Sequence, residues 1–293
     1  MTIDALKHQE ILDLIRAARA EATFNGEFLL LDLFCCGGGA SKGYTDNGFI
    51  VVGVDIVDRR ESYTKISPYF VQMDAIEFVK VYGAYFDAVV GSPPCQSSSA
   101  LTKGTNKANG WGKGTDEDKG GWVDFIPATR AEFARLNALG IPTVIENVAG
   151  AEIRKDLTLC GTMFDLKVFR HRFFEVEGFE VEQPQHEKPG GGRQHRGALK
   201  GWNHGKSNPT GEYYQVYGNG GQKGSVADWQ GAMGIDWLTE RNELAEAIPP
   251  AYSRYIGSHL REHLFAKSDE AWHDMPESDK AAALGVTLAW SVA

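Results

Sequence analysis

Phe28-Leu29-Leu30-Leu31-Asp32-Leu33 runs directly into Phe34-Cys35-Cys36-Gly37-Gly38-Gly39. A short run that is apolar except for Asp32 has the length and character of a strand buried on both faces. The glycines after it mark a tight turn, and a short helix follows. The same unit repeats along the chain. Residues 50–54 end at Asp55, residues 69–73 end at Asp74, residues 86–91 lead into Pro93-Pro94-Cys95-Gln96, and residues 142–145 end at Glu146. Helical stretches separate these runs, including residues 123–139. Short apolar strands alternating with helices predict an α/β fold with a doubly wound, mostly parallel sheet. Such sheets place ligands at the carboxyl ends of their strands, where these acids and this cysteine fall.

Outside this core, residues 4–22 have the apolar spacing of an amphipathic helix. Residues 157–176 read as strand-rich. Residues 178–224 are glycine-rich and irregular, with one expected strand at 213–217. Helical pattern resumes at 226–233, and Pro249-Pro250 opens a last helix reaching about residue 265.

The 293-residue chain carries a net charge of −9, which argues against a general basic coat for nucleic acid. The charge is uneven, however. Between His186 and Lys223 stand six Lys/Arg (188, 193, 196, 200, 206, 223) against two acids (187, 212), a local surplus of the kind phosphate contact needs. The N-terminus lacks the basic start and apolar run of a signal peptide, and no apolar run approaches membrane-spanning length. A cytoplasmic protein with no membrane association is expected. The cysteines at 35, 36, 95 and 160 form no Cys-x-x-Cys pair, so neither a disulfide framework nor a zinc site is expected. A reducing compartment keeps Cys95 a free thiol.

Three motifs carry chemistry. Pro93-Pro94 forces extended backbone ahead of Cys95, which sets that cysteine apart from the inert, buried kind. Glu146-Asn147-Val148 presents an acid at a strand end, and Phe169-Arg170-His171-Arg172-Phe173-Phe174-Glu175 alternates bases and aromatics. A thiolate nucleophile with a positioned proton donor is a recognised pairing. It suits cytosine, whose C5 becomes nucleophilic only after addition at C6. The glycine turn and Asp55 alone fit a nicotinamide enzyme equally well, but such enzymes have no use for the Cys95 and Glu146 motifs.

With these motifs in this order, residues 28–176 and 245–262 resemble the DNA cytosine-5 methyltransferases, in a compact branch found in phages and actinobacteria. The resemblance implies the S-adenosylmethionine-dependent methyltransferase fold with a small irregular target-recognition region. It implies methyl transfer from S-adenosyl-L-methionine to a flipped cytosine in double-stranded DNA. Cys95 would be the nucleophile, Glu146 the partner of ring N3, Arg172 that of the base oxygen O2, and Arg170 a supporting residue. Phe34, Gly38, Gly39, Asp55, Ile56, Asp74, Ala75 and Pro93 would hold the cofactor. His171 is expected to point away, on a strand. The chain divides accordingly into an N-terminal helix (1–27), a catalytic and cofactor-binding domain (28–176), a target-recognition region (177–244), a returning helix (245–266) and a tail (267–293). Residues 97–121, with Lys103, Lys107, Lys113 and Lys119, correspond to a mobile catalytic loop. Restriction–modification is the implied setting, and a monomer with no metal is expected. The chain departs from the family pattern at Cys36, where Gly is usual, and at Glu246, where Asn is usual. The same chemistry on RNA, or a DNA-binding protein that kept the fold without catalysis, are the alternatives.

Overall fold

The computed structural model describes residues 5–94, 123–186, 201–203, 206–208, 212–217 and 224–274. Five parallel strands form the body of the sheet: β1 (Phe28–Leu33), β2 (Phe49–Asp55), β3 (Phe70–Gln72), β4 (Ala88–Gly91) and β5 (Thr143–Asn147). Two further strands, β6 (Leu157–Leu159) and β7 (Arg172–Glu177), add antiparallel at one edge. The order is β3-β2-β1-β4-β5-β7-β6. β1 pairs with β2 on one side and β4 on the other, so the winding reverses there. The carboxyl ends of β1 and β4 therefore diverge into a crevice.

Strand periodicity assigns the two faces of β1. Leu29, Leu31 and Leu33 join a core with α1 (Ala5–Asn25), α4 (Ala75–Tyr82) and α5 (Ile126–Asn137), through Ile15, Phe78, Val79 and Phe133. Leu30 faces the opposite core, built with α2 (Gly39–Thr45) and α8 (Pro250–Asp274) through Tyr44, Tyr252, Ile256 and Leu260. These two helices touch at backbone distance. A Cβ on Gly43 would lie 2.1 Å from the Pro250 carbonyl oxygen, so only glycine fits. The short helices are α3 (Arg60–Tyr63), α6 (Val226–Met233) and α7 (Arg241–Glu246). A third core gathers Val168, Val216, Trp229, Met233, Leu238 and Leu244 beside the crevice. Among the described residues, no helix is long and apolar enough to cross a membrane.

Several expectations are corrected. Residues 213–217 form no strand; Tyr214 makes a single bridge to Val168. The short strands of that region are instead β8 (Gly201–Asn203) and β9 (Lys206–Asn208), paired antiparallel. The last helix extends to Asp274 rather than about 265. β7 begins only at Arg172, and Arg170 has φ +35°. The strand alternation expected across 169–175 therefore fails before Arg172, and with it the reason for setting His171 aside.

Candidate active site

The crevice is a cleft of about 580 Å³. Its walls come from the ends of β1, β2, β4 and β5 and from the segment between α7 and α8. Of the residues singled out in the sequence, Phe34, Gly39, Asp55, Ile56, Pro93, Glu146 and Arg172 line it. Gly38, Asp74, Ala75 and Arg170 lie outside this lining.

At one end Asp55 caps its own turn. Its Oδ2 accepts from the Cys36 amide at 3.0 Å and its Oδ1 from the Val57 amide at 2.9 Å. Each carboxylate oxygen keeps a second lone pair for a ligand. Phe34 is held at φ +58° and packs against Phe125, centroid to centroid 5.9 Å. Ile56 is 66% exposed and Val57 48%, an apolar pair open to the cleft. Asp32 is buried beneath, 1% exposed, and Ser41 Oγ donates to its Oδ2 at 2.5 Å. Burial pushes the Asp32 carboxyl up to about 7 against the opposing pull of Ser41.

The glycine turn serves packing more than ligand access. A Cβ on Gly39 would meet the Ile248 carbonyl at 2.5 Å, and one on Gly37 the Leu238 side chain at 2.5 Å. Gly38 takes φ +82° at the N-cap of α2. The two departures, Cys36 and Glu246, meet each other across the rim. Cys36 adopts φ +48°, in the region where glycine is usual, and its Sγ donates to Glu246 Oε2 at 3.3 Å. Arg59 joins them, reaching Glu243 at 3.0 Å and Glu246 at 3.5 Å. Burial raises the Cys36 thiol.

At the other end, Glu146 is the penultimate residue of β5, with 7% exposure. Arg172 Nε lies 2.9 Å from its Oε1, yet that oxygen is buried without an aligned hydrogen bond. The pair is close in charge but leaves hydrogen-bonding capacity free. Desolvation raises the Glu146 carboxyl, opposed by Arg172, a Ser92 hydrogen bond and Arg170. The adjacent Asn147, 1% exposed, donates from Nδ2 to the Pro93 carbonyl at 3.0 Å and accepts from the Val148 amide. The strand bearing Glu146 is thus tied to the two prolines that precede Cys95, both of which line the cleft. Cys95 itself lies outside the described residues. So do residues 97–121 and, of the basic cluster, all but Lys206.

Two assigned residues have partners within the fold. Asp74 Oδ1 accepts from the Glu77 amide at 2.9 Å and caps α4, with Ala75 buried as that helix's first residue. Arg170 spans to the backbone, donating to the carbonyls of Val216 at 2.7 Å and Ala245 at 2.6 Å. It ties the third core to the cleft wall from behind Arg172. Asp32, Arg59 and Phe125 line the cleft without having been singled out. Asp32 left a visible signal as the one acid in an apolar strand. Arg59 left none, because its partners are more than 180 residues away.

Comparison with solved structures places this geometry. The chain superposes on the Dnmt2 methyltransferase of S. pombe with a TM-score of 0.51 at 13% identity, covering 81% of this chain and 99% of that one. It matches a Spodoptera frugiperda DNMT2 mutant equally, TM-score 0.51 at 11% identity, covering 82% of this chain and 100% of that one. The fold is that of these methyltransferases. No protein-family model matches the sequence, and no curated protein matches it significantly.

Proposed function

We propose that the protein is an S-adenosylmethionine-dependent methyltransferase that modifies C5 of cytosine, with double-stranded DNA as substrate. The observation that carries this reading is the buried Glu146–Arg172 pair at 2.9 Å, in the same cleft as Asp55 and Phe34 and tied to the Pro93-Pro94 approach to Cys95.

The cleft suits the cofactor. Asp55 retains acceptor capacity for a ribose diol, and Phe34, Ile56 and Val57 offer apolar surface for a purine ring. When bound, S-adenosylmethionine supplies an electrophilic methyl group. The protein's own part is to make C5 nucleophilic. The Cys95 thiolate adds to C6, forming an S–C bond. Glu146, whose carboxyl burial raises, shares a proton with ring N3 and so takes up the developing charge. Arg172 holds Glu146 and presents its guanidinium to O2. After C5 gains the methyl, loss of the C5 proton to a base expels Cys95 by β-elimination and restores the aromatic ring. A base in a duplex must leave the stack to reach such a cleft.

The test supplies methyl-labelled cofactor with duplex DNA in one arm and a cytosine-containing RNA in the other, followed by bisulfite sequencing of the product. Label at cytosine C5 of DNA is expected. Label in RNA alone would move the substrate and keep the chemistry. Stoichiometric cofactor binding with no transfer to either would contradict catalysis.

A further inference from the structure

Away from the cleft, Cys160, His171 and His186 converge at the outer edge of the sheet. The Cys160 Sγ and one ring nitrogen of each histidine all lie within 4.8 Å of one another. The pairing of the chain explains this convergence. β6 and β7 run antiparallel with Leu157 opposite Phe174, Thr158 opposite Phe173 and Leu159 opposite Arg172. One more step of that register sets Cys160 opposite His171. Beyond β7 the chain returns along the free side of β6. There the Gln183 side chain mimics a strand partner, accepting from the Thr158 amide at 2.9 Å and donating to its carbonyl at 2.8 Å. Three residues after Gln183 comes His186, whose ring meets that of His171 edge to face at 5.2 Å. Its Nε2 is shielded from solvent with no hydrogen-bond partner. A buried imidazole nitrogen in that state is costly unless something binds it. The third donor, Cys160, is fully buried, its Sγ 3.3 Å from Thr162 Oγ1.

We propose that Cys160, His171 and His186 bind a borderline-soft divalent cation, zinc in the first place, as a clasp on the segment that leaves the sheet edge at residue 186. One thiolate and two imidazoles, with no carboxylate among them, match zinc and disfavour magnesium or calcium. Tetrahedral bonds of about 2.0–2.3 Å put donors about 3.3–3.8 Å apart, so small rotations of the two histidines close the present spacing. Water completes the fourth position. Binding forms the Sγ–metal bond and releases the thiol proton of Cys160 to solvent. The clasp would tie residue 186, next to the basic, glycine-rich stretch, to the end of β6 and the residue before Arg172, adding to the Gln183 contact with Thr158. It is independent of the methyl-transfer reading.

The test uses the full-length protein, stripped with a chelator and titrated with Co2+ alone. One equivalent should produce a thiolate-to-cobalt charge-transfer band and tetrahedral visible bands, displaced by Zn2+ and not by Mg2+. Cys160→Ser should abolish the charge-transfer band, Cys95→Ser should leave it, and His186→Ala should weaken binding by at least about tenfold. His186→Ala also covers the case in which the Cys160 variant fails to fold. Zn2+ should raise the melting temperature of the wild type and not that of His186→Ala. Absence of the thiolate band, a band that follows Cys95 rather than Cys160, or equal zinc stabilisation in His186→Ala would overturn the site.

Discussion

Replacing Arg172 by Met should add to this protein's stability a pH dependence that acts through Glu146. In the folded protein Glu146 is buried and its carboxyl is raised by desolvation, with Arg172 the largest influence holding it down. Methionine keeps the apolar stem and deletes the opposing charge. Glu146 then has two options: to stay ionised and unpaired, at about 3–5 kcal/mol for a broken buried pair, or to take up a proton. The second option sets a ceiling. Holding neutral a carboxyl with an ordinary value near 4.3 costs about 3.7 kcal/mol at about pH 7 and about 1 kcal/mol at about pH 5. The sign follows from the direction of the shift. A carboxyl raised in the folded state gives stability that is full below its unfolded value and lost as pH rises through its folded value. Removing Arg172 extends that loss to higher pH. Urea unfolding of wild type and Arg172→Met should therefore differ little at about pH 5 and by up to about 3.7 kcal/mol at about pH 7. The difference should vanish in a Glu146→Gln background, where no charge is buried. A loss equally large at both pH values, or one that survives in the Glu146→Gln background, would refute the coupling.

Three further outcomes follow from the same structure. Asp32 is raised to about 7 by burial, so it destabilises the fold progressively from about pH 4 up to about 7. Asp32→Asn should remove that slope of up to about 1.4 kcal/mol per pH unit, measured by denaturant titration across the range. Asp55→Ala should weaken S-adenosylmethionine binding roughly tenfold to a hundredfold in calorimetric titration while leaving nucleic-acid binding unchanged, since two charged hydrogen-bond acceptor positions are lost. Equal losses for both ligands would take Asp55 out of the cofactor site. Gly43→Ala should destabilise by more than about 2 kcal/mol in chemical unfolding, because the added methyl would meet the Pro250 carbonyl and the Arg254 amide at 2.1 and 2.6 Å. A neutral result would mean that α2 and α8 separate more easily than their packing implies.

The parallel half of the sheet was legible because strands buried on both faces leave uninterrupted apolar runs, as at Leu29 to Leu31 and Val51 to Val54. The antiparallel edge was legible only as strand-rich, since β6 is three residues long and one side of it is open. Glu146, Asn147 and the prolines were found from local motifs, and the structure joins them through one Asn147 hydrogen bond. Asp74 has a second local reading. Asp74-Ala75-Ile76-Glu77 is an N-cap signature, and capping is what the side chain does. His171 was misread because strand alternation was extended past the left-handed backbone at Arg170, whereas Arg170 itself makes the backbone contacts of a supporting residue. The contact between Cys36 and Glu246 spans 210 positions and has no sequence signal at all. Two departures noted separately turn out to be partners. Likewise the spacing of Cys160, His171 and His186 matches no zinc motif; the β6–β7 register and the return of the chain along β6 bring them together.

The central claim is that cytosine is activated by covalent addition of a thiol, and the most direct measurement is the intact mass of the protein after incubation with cofactor and duplex DNA carrying 5-fluorocytosine. Fluorine at C5 cannot leave as a proton does, so elimination stalls after methyl transfer. The expected result is a one-to-one protein–DNA adduct that peptide mapping assigns to Cys95 and that Cys95→Ser does not form. A preparation that methylates ordinary cytosine yet yields no adduct with the fluorinated duplex, or an adduct on another residue, would contradict the account.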